Sequence, residues 1–465
     1  MSETREQLLE VVNPYDRTVI GSVPLSNWTM IDGYLDRAQQ LYKNQSQWLP
    51  AYQRIDILKK TAKLLAERFE ELAFQIANEG GKPLIDARVE VTRAIDGVEI
   101  CIKEMANMVG TEIPMGLTKA SANRMAFTTR EPIGPVVSIS AFNHPLNLVV
   151  HQVGPAIATG CPVLIKPARD TPLSCKAFVD ILYEAGLPED WCRFVACDSS
   201  LAEKMATDPR VAFVSFIGSA KVGWMLRSKL ANGTRCALEH GGVAPLIFDE
   251  SADMDAMLPS VLKGGFYHSG QVCVSVQRIY APKSLAKSFA KKLAAAAEKL
   301  VVGNAIDEKT ECGPLIQPRE VDRIEEWVDE AQKLGATVLT GGKRLGDTTY
   351  APTVLLNPPI DAKVSTHEVF GPVVCIYEYN AIEDAIKQAN ALPYAFQSSI
   401  FTNNLDTAFK VSRQLDSTAV MINDHTAFRV DWMPFAGRRE SGYGIGGIGQ
   451  TMHEMMQDKM LVFKL

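Results

Sequence analysis

The sequence predicts a two-domain α/β protein: two Rossmann-like, doubly wound sheets with a small β element projecting from them. Three observations carry this. At 465 residues the chain exceeds one ordinary hydrophobic core, so two or three domains are expected. From Gly134 onward apolar β runs alternate with helical segments, the grammar of a parallel sheet covered on both faces. Residues 116–130 and the tail 452–465 stand outside that alternation as candidate strands.

In chain order, 11–24 reads as a hairpin, two β-branched runs around an Asn-Pro-Tyr-Asp turn. Helical periodicity then runs from Ser26 to Val109. Leu58, Ala62, Leu65 and Phe69 form one i, i+3/i+4 stripe, continued by Leu72 and Ile76. Gly80-Gly81-Lys82-Pro83 stops it, and a second long helix covers Ile85 to Met108. Residues 116–130 alternate like an edge strand. Next come strands at VVSISAF, PVLIKPA, CRFVAC and VAFVSFIG, separated by helices at 148–159, 172–186, 199–207 and 221–231. After 235–248 the grammar repeats. Helices fall at 254–268, 284–300 and 319–334, and strands near 336–340, 373–379, 397–401 and 418–422. The domains join near Glu239. The tail, ending LVFKL, can pair with the 116–130 excursion, and sheet-edge pairing of that kind makes oligomer interfaces.

Composition is 46% hydrophobic and 22% charged, with net charge −6, which argues against nucleic-acid or membrane-surface binding by bulk charge. The nine cysteines form no C-x-x-C pair, so no metal site is expected, and their scatter suggests free thiols in a reducing compartment. The start, MSETREQLLEVV, does not read as a secretory signal, and no window reads as a transmembrane span. A cytoplasmic protein is the expectation.

Five positions could carry chemistry. Cys273, after Ser269-Gly270-Gln271-Val272 and before a β-rich run, reads as a thiol delivered by a loop: a nucleophile or a buried small hydrophobe. Gly218-Ser219 follows a strand and opens a helix, where backbone N–H groups can hold phosphate; a plain strand-to-helix turn is the alternative. Lys166 ends a strand at the edge where nucleotides bind in open sheets, or is simply solvated. Glu239 beside His240-Gly241-Gly242 could be a general base if buried, and Asn143 could donate to an oxyanion or serve as a turn residue before Pro145.

Taken together, and in this order, these residues resemble the aldehyde dehydrogenase superfamily. The resemblance rests on EPIGPV (131–136), FNHPL (142–146), GPAIATG (154–160), KPA (166–168), FIGSAKVG (216–223), LEHGG (238–242), SGQVC (269–273), HEVFGPV (367–373) and PFAGRRESGYG (434–444), and covers nearly the whole chain. It implies an aldehyde dehydrogenase-like fold: 1–115 and 135–238 as the NAD(P)-binding domain, 239–450 as the catalytic domain, and 116–134 with 451–465 as an oligomerisation element. It also implies oxidation of an aldehyde to the acid with NAD or NADP, by a homodimer or homotetramer. By resemblance Cys273 attacks the aldehyde, Asn143 and the Cys273 N–H hold the oxyanion, and Glu239 activates water to release the acid from a thioester. Lys166, Ser140, Phe142, Gly218, Ser219, Gly241, Glu368 and Phe370 match cofactor-binding positions.

Three departures matter. Arg169 stands where many NAD-preferring relatives carry a glutamate; a guanidinium suits a 2′-phosphate, so NADP is expected to be accepted unless Arg169 points to solvent. Ile445-Gly446 replace an acid that could relay protons, and Gln152 replaces a lysine. The implied pocket is polar: His144, Asn147 and His151, with Arg93 and Arg429, beside Val272, Val274 and Phe435. This suits a small polar or anionic aldehyde of semialdehyde, phosphonoacetaldehyde, sulfoacetaldehyde or lactaldehyde type. Val272 is apolar where some phosphate-using relatives carry arginine, so Arg93 and Arg429 must supply the charge. Structural ion pairs are the alternative, Arg93 with Glu90 or Asp96 and Arg429 with Asp431. A CoA-acylating semialdehyde dehydrogenase is the rival enzyme, disfavoured by Glu239; a non-catalytic protein on the same fold is the rival class.

Overall fold

The computed structural model describes residues 7–465. Its first sheet has six strands in the order Gly442–Tyr443, Arg235–Glu239, Phe213–Ile217, Val136–Ile139, Val163–Lys166 and Cys192–Phe194. All pairings are parallel except the first. The second sheet has seven strands: Thr337–Thr340, Thr353–Leu356, Val373–Tyr379, Arg278–Pro282, Pro245–Phe248, Gln397–Phe401 and Ala419–Ile422. Again only the first pairing is antiparallel. Strands such as VVSI and VVCIYEY are buried on nearly every residue, as two-sided parallel strands must be.

The tail strand Met456–Lys464 pairs antiparallel with Arg124–Pro132 along its length, and Glu112–Ile113 adds a third strand. The excursion read as 116–130 is strand only from Arg124; a short 3-10 turn at Lys119–Ser121 precedes it. The 58–76 stripe is carried by two helices, Ala51–Glu67 and Phe69–Gly80, because Arg68 leaves the helical region while the buried side chains stay in register. Gly81 ends the second at φ 68°, where a Cβ would lie 2.8 Å from Pro314.

Two segments from the end of the chain complete the first domain. Gly442–Tyr443 extends its sheet, and Ile448, Met452 and Met455 pack into its core with Val98, Val150 and Val153.

Two buried carboxylates hold helix starts. Glu79 accepts the Leu173 and Ser174 N–H groups at the head of Pro172–Glu184, and burial raises its pKa to about 7. Glu90 accepts the Leu146 and Asn147 N–H groups (2.9 and 3.1 Å) at the head of Asn147–Thr159, while Lys82 pairs with its other oxygen. Both side chains of that pair are out of solvent. The pair fixes the turn from Asn143 into the helix, which places it beneath the site.

Candidate active site

In the first sheet the chain reverses its direction of strand addition between Val136–Ile139 and Phe213–Ile217. Ligands bind beyond the carboxyl ends of strands at such a point. Here those ends lead into Ser140-Ala141-Phe142-Asn143, Gly218-Ser219 and Glu239–Gly241. The amino ends of the second sheet supply Cys273, before Arg278–Pro282, and Glu368, before Val373–Tyr379. All of them line one cavity of about 730 Å³.

The Cys273 loop is held from several sides. His268, Ser269 and Gly270 are consecutive left-handed residues (φ 48°, 56° and 71°), a costly backbone that surrounding contacts must enforce. A Cβ on Gly270 would meet the Gly371 carbonyl at 2.1 Å. Ser269 Oγ donates to the Gly313 carbonyl (2.6 Å), and Gln271 bonds the Pro314 carbonyl and the Ile316 N–H. Ser275 donates to the Gly264 carbonyl (3.1 Å), so it shapes the loop and does not face substrate; His268 is fully buried. The run after Cys273 becomes strand only at Arg278, since 274–277 are used to turn the loop.

Asn143 Nδ2 donates one proton to the Gln271 carbonyl (2.9 Å). That fixes the amide against the thiol loop and leaves its second proton for an oxyanion. Burial pushes the Cys273 thiol above its usual range; Glu368 and Glu239 push the same way and Arg429 opposes. The thiol is therefore neutral at rest and needs a proton acceptor. Burial lifts Glu239 to about 7, with Arg429 holding it down, and Glu368 to about 8. Glu239 is thus half-ionised near neutrality, where a general base is most effective. A Cβ on Gly446 would meet Glu239 Oε1 at 2.0 Å, so the absence of a relay acid there leaves room for this carboxylate.

The cofactor end fits a dinucleotide. Ser219 caps Ala220–Lys229 without a side-chain bond to the helix, so the Ala220 and Lys221 N–H groups stay open to a pyrophosphate. Ser140 Oγ is buried without a partner. Gly241 lies under Glu368, whose Oε1 would be 1.8 Å from a Cβ there and accepts the Gly242 N–H at 3.3 Å. Phe142 and Phe370 meet edge to face across the cavity, ring centres 5.8 Å apart.

Lys166 and Arg169 lie outside the cavity lining. The Lys166 ammonium donates to the Pro167 carbonyl (2.9 Å), and exposed Arg169 lines a separate pocket of about 170 Å³ with Arg17, Asp170 and Gln317. Gln152 is not in the cavity either: its Nε2 bridges the Ile139 carbonyl and Ser215 between two strands, a structural tie.

At the substrate end Arg93, His144, Asn147, His151, Val272, Val274, Arg429 and Phe435 line the cavity. The ion pairs differ from expectation. Arg93 pairs with neither Glu90 nor Asp96; it forks onto Asp431, Nε to Oδ2 at 3.0 Å and Nη2 to Oδ1 at 2.8 Å. Arg429 is consequently without Asp431. Its guanidinium lies 4.0 Å from the centre of the Phe435 ring, and its Nη1 is buried with no partner among the described residues. Burial, and after it the Arg93 charge, bring its pKa down to about 10, while Glu239 and Asp431 pull the other way. Sequence reasoning missed Lys263, Tyr267, His425 and Phe428 in the lining. Tyr267, six residues before the thiol, and Phe428, beside Arg429, had a signal in their positions; Lys263 and His425 arrive by tertiary packing, His425 on a loop that Thr426 ties to the Val274 carbonyl (2.6 Å).

Comparison with known proteins identifies this architecture. The sequence model of the aldehyde dehydrogenase family matches residues 1–461. A 3-sulfolactaldehyde dehydrogenase of Priestia aryabhattai is 37% identical over 464 residues, covering 100% of this chain and 96% of that protein. A lactaldehyde dehydrogenase of Methanocaldococcus jannaschii is 36% identical over 462 residues, 98% of this chain and 97% of that protein. The crystal structure of aldehyde dehydrogenase 21 from Physcomitrella patens, in complex with its product succinate, superposes with a TM-score of 0.95 at 36% identity, covering 99% of this chain and 96% of that one. The chain belongs to the aldehyde dehydrogenase family, and is an enzyme of the NAD(P)-dependent kind that oxidises aldehydes to acids.

Proposed function

We propose that this aldehyde dehydrogenase oxidises a small aldehyde bearing an anionic group, of the semialdehyde, sulfoacetaldehyde or lactaldehyde-derived class, to its acid. The observation that carries the reading is the unpaired Arg429 guanidinium in the cavity that also presents Cys273, Asn143 and Glu239. A partly buried guanidinium with no carboxylate wants an anion, and carboxylate or sulfonate matches its fork. Relatives named for sulfolactaldehyde and sulfoacetaldehyde, at 37% and 30% identity, agree with this.

In this reading Arg429 holds the substrate anion and so orients the carbonyl toward Cys273. The thiol gives its proton to solvent water as sulfur bonds the carbonyl carbon, which leaves Glu239 unprotonated for the later hydrolysis. The oxyanion forms between the free Asn143 N–H and the Cys273 N–H, donors whose bonds strengthen as charge develops. Bound NAD or NADP supplies the hydride acceptor. Cys273 is left as a thioester, and Glu239 takes a proton from the water that hydrolyses it, returning the thiol. Arg169 is exposed and in no ion pair among the described residues, which supports acceptance of NADP with Arg169 as the 2′-phosphate partner. The exposed Met125, Met460, Val462 and Phe463 on the three-stranded sheet suit a homodimer or homotetramer interface, and nine free thiols suit the cytoplasm.

The test is steady-state kinetics of Cys273→Ala and Arg429→Met. The first is expected to form no reduced cofactor while still binding it. The second is expected to raise KM for sulfoacetaldehyde at least about tenfold more than for propanal, the loss of one charge-assisted pair. Turnover by Cys273→Ala, or equal KM effects in Arg429→Met, would overturn the proposal.

A further inference from the structure

Four cations approach the substrate end, and three of them have a carboxylate partner. Lys82 pairs with Glu90, Lys263 with Asp86, and Arg93 with Asp431. Arg429 alone has no partner among the described residues. The accounting turns on Asp431, which is 2% exposed. Its Oδ1 accepts from Arg93 Nη2 (2.8 Å), His151 Nε2 (2.7 Å) and Asn147 Nδ2 (3.2 Å), and its Oδ2 accepts from Arg93 Nε (3.0 Å). Four donors on one carboxylate fix it on Arg93; Arg429, two residues back, makes no ion pair with it and feels its charge only at longer range.

We propose that Asp431 determines specificity for the charge of the substrate headgroup: by cancelling Arg93 it leaves a single uncompensated guanidinium, so the pocket takes a monoanion, carboxylate or sulfonate, and discriminates against a dianion such as phosphonate. This rests on the anionic-aldehyde reading above. A monoanion on Arg429 brings the pocket to balance. A dianion brings a second charge that finds no free cation, in a cavity that already holds Glu239 and Glu368, and a buried unpaired charge is costly. Arg93 lines the same cavity, so it would serve as the second cation if Asp431 did not occupy it. His151 does not alter the count: burial pushes its pKa below the usual value despite Asp431, so it donates its Nε2 proton as a neutral ring.

The readout is the ratio of kcat/KM for phosphonoacetaldehyde to that for sulfoacetaldehyde, measured at a pH where the phosphonate is dianionic; a general loss of activity cancels in it. Asp431→Asn frees Arg93 and is expected to raise the ratio at least about tenfold, one charge-assisted interaction. The double variant Arg93→Gln/Asp431→Asn removes the ion pair but keeps one guanidinium, and is expected to return the ratio to within about threefold of the wild-type value. A purely structural Asp431 would leave the ratio unmoved in the single variant, which overturns the proposal. If Asp431→Asn does not fold, Asp431→Ser, which likewise leaves Arg93 without its carboxylate, takes its place: the same rise of about tenfold is expected, and an unmoved ratio overturns the proposal. Wild-type enzyme that treats sulfoacetaldehyde and propanal alike contradicts the anionic-aldehyde reading itself. Wild-type preference for sulfoacetaldehyde with an unmoved ratio in Asp431→Asn contradicts only the role of Asp431.

Discussion

Replacing Glu239 by glutamine is expected to separate the two halves of the proposed reaction. The carboxyl sits at the end of Arg235–Glu239, and burial brings its pKa to about 7. At pH 6 only about one-tenth of it is ionised, so the step that needs the carboxylate slows about tenfold for each pH unit below 7. Glutamine removes the base at every pH. General-base catalysis is worth about 10²–10⁴-fold, or about 3–5 kcal/mol of barrier. That loss is expected in the hydrolysis of the Cys273 thioester. Rapid mixing of Glu239→Gln with cofactor and aldehyde should give a burst of reduced cofactor close to one per site, then a steady state slowed at least about 100-fold. A steady state without a burst would put Glu239 before hydride transfer, and an undiminished rate would remove it from catalysis. Stability gives an independent check. The folded chain holds this proton more tightly than the unfolded one, about 7 against 4.5, so stability from this group is fully present below pH 4.5 and is lost as pH rises through about 7. Glutamine is always neutral, so the variant should exceed wild type at pH 8 by up to about 3 kcal/mol and match it at pH 4. Equal denaturation midpoints at pH 8 would refute the raised pKa.

Other substitutions test the scaffold and the cofactor. Glu90→Gln leaves Lys82 buried without its counter-charge and weakens the cap on Asn147–Thr159; a loss of about 3–5 kcal/mol in urea denaturation is expected, and a loss under 1 would mean water reaches Lys82. Arg169→Glu should lower kcat/KM with NADP relative to NAD at least about tenfold, because a carboxylate repels a 2′-phosphate. An unchanged ratio would mean that Arg169 belongs only to the pocket it shares with Arg17 and Gln317.

Much of the architecture was legible because parallel strands buried on both faces read as continuous apolar runs, as VVSI and VLIK do. The hairpin and the pairing of the tail with the excursion read as 116–130 were legible for the same reason of pattern, though the strand itself runs Arg124–Pro132. The Thr353–Leu356 strand was not, being four residues after an irregular stretch, nor was the return of Gly442–Tyr443 to the first sheet, which rests on glycine-rich tertiary packing. At the site, motif order located Cys273, Glu239 and Asn143. The partners of the arginines were beyond reach. Arg93 and Asp431 are 338 residues apart, and nothing in local spacing favours that pair over Arg93 with Glu90 on its own helix. Glu90 is taken by Lys82 and two backbone N–H groups, and that commitment sends Arg93 across to Asp431.

The most direct measurement is the wild-type kcat/KM for sulfoacetaldehyde against that for propanal, with saturating NAD and again with saturating NADP. One charge-assisted contact to Arg429 predicts a preference for the sulfonate of at least about tenfold, falling to near unity in Arg429→Met. Equal specificity for the two aldehydes in the wild type would contradict the account.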